Sequence, residues 1–332
     1  MNKRALRADV LLLLTAGIWG FGFVAQRSGM EYIGPFAFNG IRFILGSLSL
    51  LPIIFFRRRA VKNPRRNILP PSLAAGGCLF VAVIFQQFGV MFTTAGNAGF
   101  ITGLYVVLTP IFAAFLGKKT GPATWLGAVF TITGLFFLSV AGSAGSVNPG
   151  DLLIVISAFF WTAHVLLIDS LMQGPGHKNV PQLDPLELSA GQFAVCGILS
   201  LAGAFLAEPH VGAAVNSINP ALLDAGLFAW LPFPTLLKSG APFPAQALIP
   251  ILYGGLGSVG IAYTLQVIAQ RDAPPAHTTI ILCFEGCFAA LGGVLLLSEK
   301  IGPWTLAGFT LMLAGMLVTQ WELIRGKRSE RE

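Results

Sequence analysis

The chain has 332 residues, 55% hydrophobic and 11% charged, with a mean hydropathy of +0.75, whereas soluble domains carry about 25% charged residues. That balance excludes a soluble enzyme and makes the lipid bilayer the first partner of an integral membrane protein. The net charge of +7 would suit nucleic acid in a soluble chain, but here its distribution between spans gives a simpler account.

Apolar runs of about 17 to 25 residues, long enough to cross a hydrocarbon core roughly 30 Å thick, fill most of the chain. Cut at charged, Pro-rich and Gly-rich breaks, they predict an all-α membrane protein of about ten spans, at 9–27, 35–56, 72–92, 97–117, 122–141, 151–172, 186–207, 246–268, 275–297 and 303–322. Lys3, Arg4 and Arg7 precede the first run as in a secretory signal, but no small-residue cleavage site leading into a soluble domain follows, so a retained span is expected.

Within span 1, Gly20-Phe21-Gly22-Phe23-Val24-Ala25 has the spacing of a dinucleotide-binding turn. Such a turn needs a strand before it and an acidic residue roughly 20 residues on; here the glycines lie in one apolar run, and Ile41, Arg42 and Phe43 stand where the acid belongs. These glycines are read as points where helices approach closely or bend. Gly117-Lys118-Lys119-Thr120 resembles the end of a phosphate loop, but Phe112 replaces the earlier glycine and no Ser or Thr follows Lys118. Cys78, Cys196, Cys283 and Cys287 are scattered, fit neither a disulfide framework nor a zinc pattern, and read as small packing residues.

Lysine and arginine alternate strongly between the two sides. One side receives 17 of the 21, including Lys3, Arg4, Arg7, the cluster from Arg57 to Arg66, Lys118, Lys119, Lys178, Arg271 and the tail from Arg325. The other receives Arg27, Lys238 and Lys300, while Arg42 lies inside a span. The positive-inside rule then predicts that both termini are cytoplasmic. The long connection 208–245 falls outside the cell; its Leu222, Leu223, Leu227, Trp230 and Leu231 suit either an interfacial amphipathic helix or a Pro-punctuated cap over the mouth.

Self-comparison adds an internal repeat. Asp9 to Trp19 (DVLLLLTAGIW) matches Asp151 to Trp161 (DLLIVISAFFW), Pro35 corresponds to Pro185, Arg42 then stands opposite Gln192, and Phe112-Ala113-Ala114 echoes Phe288-Ala289-Ala290. Gly121-Pro122 likewise echoes Gly302-Pro303. The chain divides into a first five-helix repeat, 1–142, and a second, 143–332, which carries the insertion 208–245. Because five is odd, the two copies must be inverted in the membrane, the arrangement that lets two halves exchange roles between inward-open and outward-open states.

Polar groups inside spans mark candidate sites, since burying them in hydrocarbon is expensive. Arg42 and Glu285 are the clearest; they either pair with each other or with backbone carbonyls and hold helices together, or face a cavity where Glu285 serves as a proton or cation site. His164 lies one turn after Trp161 on the same face, either as a cavity and coupling group or as a helix bridge. Thr102, Tyr105 and Thr109 recur at helical spacing ahead of Pro110, whose freed carbonyl can serve substrate or bend the helix. Gln86, Gln87, Tyr253, Tyr263 and Gln266 also need partners, and Trp19 and Trp161, at matching places in the repeats, either pack or stack on a flat or cationic ligand. The expected substrate-binding set is Trp19, Arg42, Gln87, Thr102, Tyr105, Trp161, His164, Tyr253 and Tyr263, with Glu285 and His164 as coupling residues.

The doubled five-span unit, the tryptophan after a small-residue run, the arginine seven residues after Pro35, Glu285 with its Phe-Ala-Ala, and Ser298-Glu299-Lys300 before Gly302-Pro303 resemble the EamA-type transporters of the drug/metabolite transporter superfamily. The resemblance runs over 9–322; Lys118-Lys119 and the length of 208–245 depart from the usual pattern. It implies a ten-helix bundle around a mid-membrane cavity, usually exporting amino acids, related metabolites or drug-like amphiphiles, with a bacterial inner membrane as the commonest home. Nothing in the chain would hydrolyse ATP, so an ion, proton or substrate gradient would drive transport, without cofactor or metal, in a monomer or weak oligomer. Exchange of a phosphorylated or nucleotide-linked metabolite is the alternative, although only Arg42 offers a buried positive charge. A membrane enzyme would want clustered carboxylates or histidines, and His164, His177, His210 and His277 are dispersed.

Overall fold

The computed structural model describes residues 3–60, 67–115, 122–139, 148–173, 183–210, 244–273 and 275–329. The Lys118-Lys119 turn, His177, Lys178 and the amphipathic stretch of the long insertion lie outside them. Among the described residues every regular element is helical. Seven helical stretches are long and apolar enough to cross a membrane, and three shorter apolar helices cover 125–137, 285–297 and 303–318. A transmembrane segment must satisfy its own backbone hydrogen bonds, which a helix does within itself.

Helices α1 (Lys3–Gly29), α2 (Pro35–Ala60) and α3 (Leu69–Phe92) open the chain. The fourth stretch is broken into α4 (Ala95–Thr102) and α5 (Tyr105–Phe115), followed by α6 (Pro122–Ser139), α7 (Pro149–Gln173) and α8 (Pro185–Leu206). After the insertion come α9 (Leu248–Leu252), a π-helical stretch (Tyr253–Tyr263) and α10 (Thr264–Ala269). The chain continues with α11 (Pro275–Leu282), α12 (Glu285–Leu297) and α13 (Pro303–Ser329). Two expectations change here. The bend of the fourth span falls at Gly103-Leu104, ahead of Pro110, and the eighth span is π-helical through much of its length.

Prolines start α2, α6, α7, α8, α11 and α13, where a missing N–H is harmless and the fixed φ suits the first turn. Some of the remaining orphan donors at helix starts are met by carboxylates, two of them from distant parts of the chain. Glu208 Oε1 accepts from Phe36 N at 3.0 Å and Ala37 N at 3.2 Å, tying the start of α2 to the end of α8. Asp184 caps its own helix, accepting from Leu186 N at 2.8 Å, and pairs with Arg57 at 3.3 Å. Glu299 reaches the start of α4, accepting from Ala95 N at 2.7 Å and Gly96 N at 3.3 Å. It is aimed there by Ser298, whose φ of 55° lies in the left-handed region.

Glu299→Ala removes both acceptors at once and leaves two backbone donors of α4 unmet. The expected loss is about 1–2 kcal/mol, read as a lower unfolding midpoint in detergent. Glu299→Gln keeps one acceptor oxygen and should recover part of it. A midpoint unmoved by the Ala variant would show that this tie adds nothing to stability.

Small residues bring the central helices together. A Cβ on Gly20 would meet the Glu285 carbonyl oxygen at 2.7 Å and the Ala289 nitrogen at 2.9 Å, so α1 lies directly on the backbone of α12. Gly255 of the π stretch packs closely on the Leu45 side chain of α2. Large apolar side chains such as Leu126, Ile132 and Phe136 of α6, Leu295 of α12 and Trp304 of α13 stay exposed. In a membrane protein that surface is covered by lipid.

Candidate functional site

At the centre of the bundle is a partly open cavity with about 440 Å³ of space between its atoms, its mouth included. Its walls come from nearly every central helix: Trp19, Phe23 and Gln26 of α1, Arg42 of α2, Gln86 of α3, Thr102 and Tyr105 from either side of the first helix break. The second half contributes Trp161 and Val165 of α7, Ser258 and Tyr263 of the π stretch, Gln266 of α10, and Leu282 and Glu285 from either side of the second break.

The two breaks explain how Glu285 is held. It is the first residue of α12, just past Cys283-Phe284, where the helix dipole favours negative charge. Its Oε1 accepts from the Tyr105 hydroxyl at 2.9 Å, and Tyr105 is itself the first residue of α5. Arg42 is 2% exposed. Its Nε donates to Asn39 Oδ1 at 2.9 Å, and its guanidinium carbon lies 5.4 Å and 5.0 Å from the ring centres of Phe38 and Phe43, at cation–π range. Arg42 and Glu285 do not pair with each other; an ion pair forms instead at the end of the bundle, between Arg57 and Asp184. The cavity thus holds a carboxyl group and a guanidinium with no ion pair between them.

Between them stands an aromatic group. Trp19 lies edge-on to Tyr263 with ring centres 4.5 Å apart, Trp161 stacks on Tyr263 at 5.8 Å, and the two tryptophans are 6.3 Å apart. Their polar edges are held. Trp19 Nε1 donates to the Ser258 carbonyl at 3.2 Å, and Trp161 Nε1 donates to Gln86 Oε1 at 2.6 Å. Gln86 in turn donates to Gln26 Oε1 at 3.4 Å. Gln266 is fully buried, and neither its amide nitrogen nor its oxygen has a hydrogen-bond partner among the described residues. A buried polar group in that condition points to a ligand or to another conformation.

A family model described as the EamA-like transporter family matches residues 6–140 and 215–321. The chain belongs to the EamA-like transporter family. This EamA-like protein is 27% identical over 316 residues to an "Uncharacterized transporter" of Archaeoglobus fulgidus, covering 95% of this chain and 86% of that one. It is 23% identical to the inner membrane transporter YedA of Escherichia coli, over 77% of this chain and 89% of that protein. The S-adenosylmethionine/S-adenosylhomocysteine transporter of Chlamydia trachomatis is 25% identical, over 96% of this chain and 90% of that protein. A crystal structure superposes with a TM-score of 0.63 at 18% identity, covering 96% of this chain and 98% of the other, a likeness of fold. The protein is a membrane transporter.

Of the residues expected at the site of this EamA-like transporter, Trp19, Arg42, Thr102, Tyr105, Trp161, Tyr263 and Glu285 line the cavity. Three expected there lie behind its wall. Gln87 is turned to the Gln26 carbonyl at 3.4 Å, and the Tyr253 hydroxyl donates to the Ile18 carbonyl at 2.8 Å. His164 bonds Gln192 Oε1 through Nε2 at 2.9 Å while its ring sits edge-on to Trp161 at 5.8 Å. Gln26 and Ser258 escape a reading of the sequence. Gln26 adjoins Arg27 at the end of a span and looks interfacial, and Ser258 faces inward because π-helical winding rotates that turn.

Proposed function

We propose that this EamA-like transporter is a secondary transporter that exports small zwitterionic metabolites of the amino-acid class, or drug-like amphiphiles, by alternating access around the central cavity. The observation that carries this is the cavity's chemistry: Glu285, the Trp19, Trp161 and Tyr263 rings, and Arg42 line one space, and the two ionisable groups do not pair with each other. An ammonium group suits Glu285, a carboxylate suits Arg42, and an apolar or flat side chain suits the rings. Glu285 is also the one carboxylate among the lining residues, which makes it the natural proton or cation site; His164, one residue from the wall, is the second coupling candidate.

The ten-span, inverted-repeat architecture belongs to the same proposal. Supporting it, the helix breaks fall at corresponding places, so that Tyr105 and Glu285 each begin a second half-helix and meet, and the repeat-related Trp19 and Trp161 meet at the centre. With that architecture both termini are cytoplasmic in a bacterial inner membrane, and a monomer contains a whole cavity. A second reading is favoured by the relative named for S-adenosylmethionine and S-adenosylhomocysteine: a nucleoside-bearing amino acid whose cationic or flat part lies on the tryptophans.

The test is uptake into proteoliposomes of a panel of radiolabelled amino acids and of S-adenosylmethionine, with a pH dye inside. Saturable uptake of at least one member, with proton movement when a pH gradient is imposed, is the expected result. Saturable uptake indifferent to the gradient would make the protein a facilitator. No uptake of any member would sink the substrate proposal.

A further inference from the structure

Behind one wall of the cavity lies a cluster of buried polar side chains, a polar chamber of which the transport reading uses only His164 and the wall residue Gln266. His164 precedes Val165, a wall residue, and Gln270 Nε2 donates to the Val165 carbonyl at 3.2 Å. Four side chains there, His164, Gln192, Gln266 and Gln270, are 0–1% exposed, yet His164 Nδ1, Gln192 Nε2, Gln270 Oε1 and both amide atoms of Gln266 have no partner among the described residues. They come from α7, α8 and α10 and their flanks, and all lie toward the end of the bundle that carries Arg57, Asp184 and Arg271. Leaving that many buried polar atoms unmet in one place is unfavourable, and a closed state that does so gains when the region opens to water or to a polar solute.

What closes the chamber is a separate aliphatic cluster of Ile168 and Met172 from α7, Leu183 and Leu188 at the start of α8, Val267 of α10 and Ala75 of α3. Among the described residues its members are all apolar and none is aromatic. The opposite end is closed differently, by Met30, Ile33, Phe38, Met91 and Ile251 with flanking phenylalanines. Polar ties strap that end: Arg27 donates to the carbonyls of Val90 and Met91, and Thr93 donates to Asp151 at 2.5 Å.

We infer that the path between the cavity and the Arg57 end runs between α3, α7, α8 and α10, with His164, Gln192, Gln266 and Gln270 as a second, hydrogen-bonding stopping place for the solute's polar group, gated by Ile168, Leu188 and Val267. The inference rests on the transport reading above for the identity of the solute. The chamber's side chains are neutral amides and an imidazole, so it receives the polar end of a zwitterion without holding it as tightly as the charged cavity. Uneven holding of this kind is what lets a solute leave.

The test is thiol accessibility in proteoliposomes of the full chain. Leu188→Cys, and Val267→Cys should the first fold poorly, are exposed on both faces to a membrane-impermeant thiosulfonate. The native protein gives the background of its four cysteines, and Ile198→Cys, on the lipid-exposed side of α8, is the control. Labelling at least tenfold faster than the control supports the route. A gate cysteine no more reactive than the control, in vesicles that still take up solute, overturns it and leaves the transport reading standing. Fast labelling in vesicles that take up no panel member supports the route and counts against the substrate proposal. Gln266→Leu adds a readout that a packing role would not give: a higher unfolding midpoint together with uptake reduced about tenfold. A lowered midpoint would mean that the amide is satisfied where it stands and would count against the chamber.

Discussion

Glu285→Gln is expected to abolish proton-driven accumulation of solute while leaving the protein folded and solute exchange measurable. Glu285 is 2% exposed, and among the described residues its side chain accepts from the Tyr105 hydroxyl at 2.9 Å. Glutamine has the same shape, still accepts that hydrogen bond through its carbonyl oxygen, and can neither release a proton nor neutralise an ammonium group. Accumulation against a gradient should fall by about 100-fold or more, the scale on which removing a charge-assisted contact of about 3 kcal/mol acts. Counterflow, in which labelled solute exchanges for unlabelled, needs no net proton movement and should survive at reduced affinity. Loss of both activities in a variant with a native melting profile would place Glu285 in solute binding alone. Retention of both would make it a structural group that merely steadies the break between α11 and α12.

Gly20→Leu is expected to be the most damaging packing change in the central helices. The Glu285 carbonyl oxygen and the Ala289 nitrogen stand within 2.9 Å of where even a methyl group would go, and these are backbone atoms of α12 that no side-chain rotation can move. The helices must separate, at a cost of about 3 kcal/mol or more. Separation also shifts the start of α12 and with it Glu285. Poor monodispersity on size-exclusion chromatography, a midpoint lowered by many degrees and loss of transport should appear together. Gly77→Ala on α3 is the matched control, because nothing lies within 4 Å of its added carbon. That variant should be neutral or more stable by up to about 1 kcal/mol through helix propensity. Equal tolerance of the two substitutions would mean that α1 does not sit on α12 in the membrane.

The same contact gives the glycine pattern of span 1 its physical sense. Gly20 and Gly22 imitate a nucleotide turn in spacing, yet one lies on the backbone of α12 and the other faces Ser258, whose hydroxyl a Cβ there would meet at 3.5 Å. Removing Cβ serves close approach in both settings, so the letters alone look alike and only the neighbours differ.

The sequence by itself determined that the chain lives in a membrane, that its helices are apolar enough to cross one, and that Arg42 and Glu285 are buried within them. Those are local properties: the length of an apolar run and the expense of a charge inside it are written in consecutive residues. The paired tryptophans were also legible, because a duplicated segment repeats its letters. Only the tertiary structure decided which polar side chains share a wall. Consecutive residues point about 100° apart around a helix, so Gln86 reaches the cavity and Gln87 does not, and nothing in the letters of an apolar run fixes that rotation. Packing fixes it, through contacts such as Gly20 on α12. The breaks at Gly103-Leu104 and Cys283-Phe284, and the π-helical turn that faces Ser258 inward, were decided there too, since each is held by neighbours from the other half of the chain.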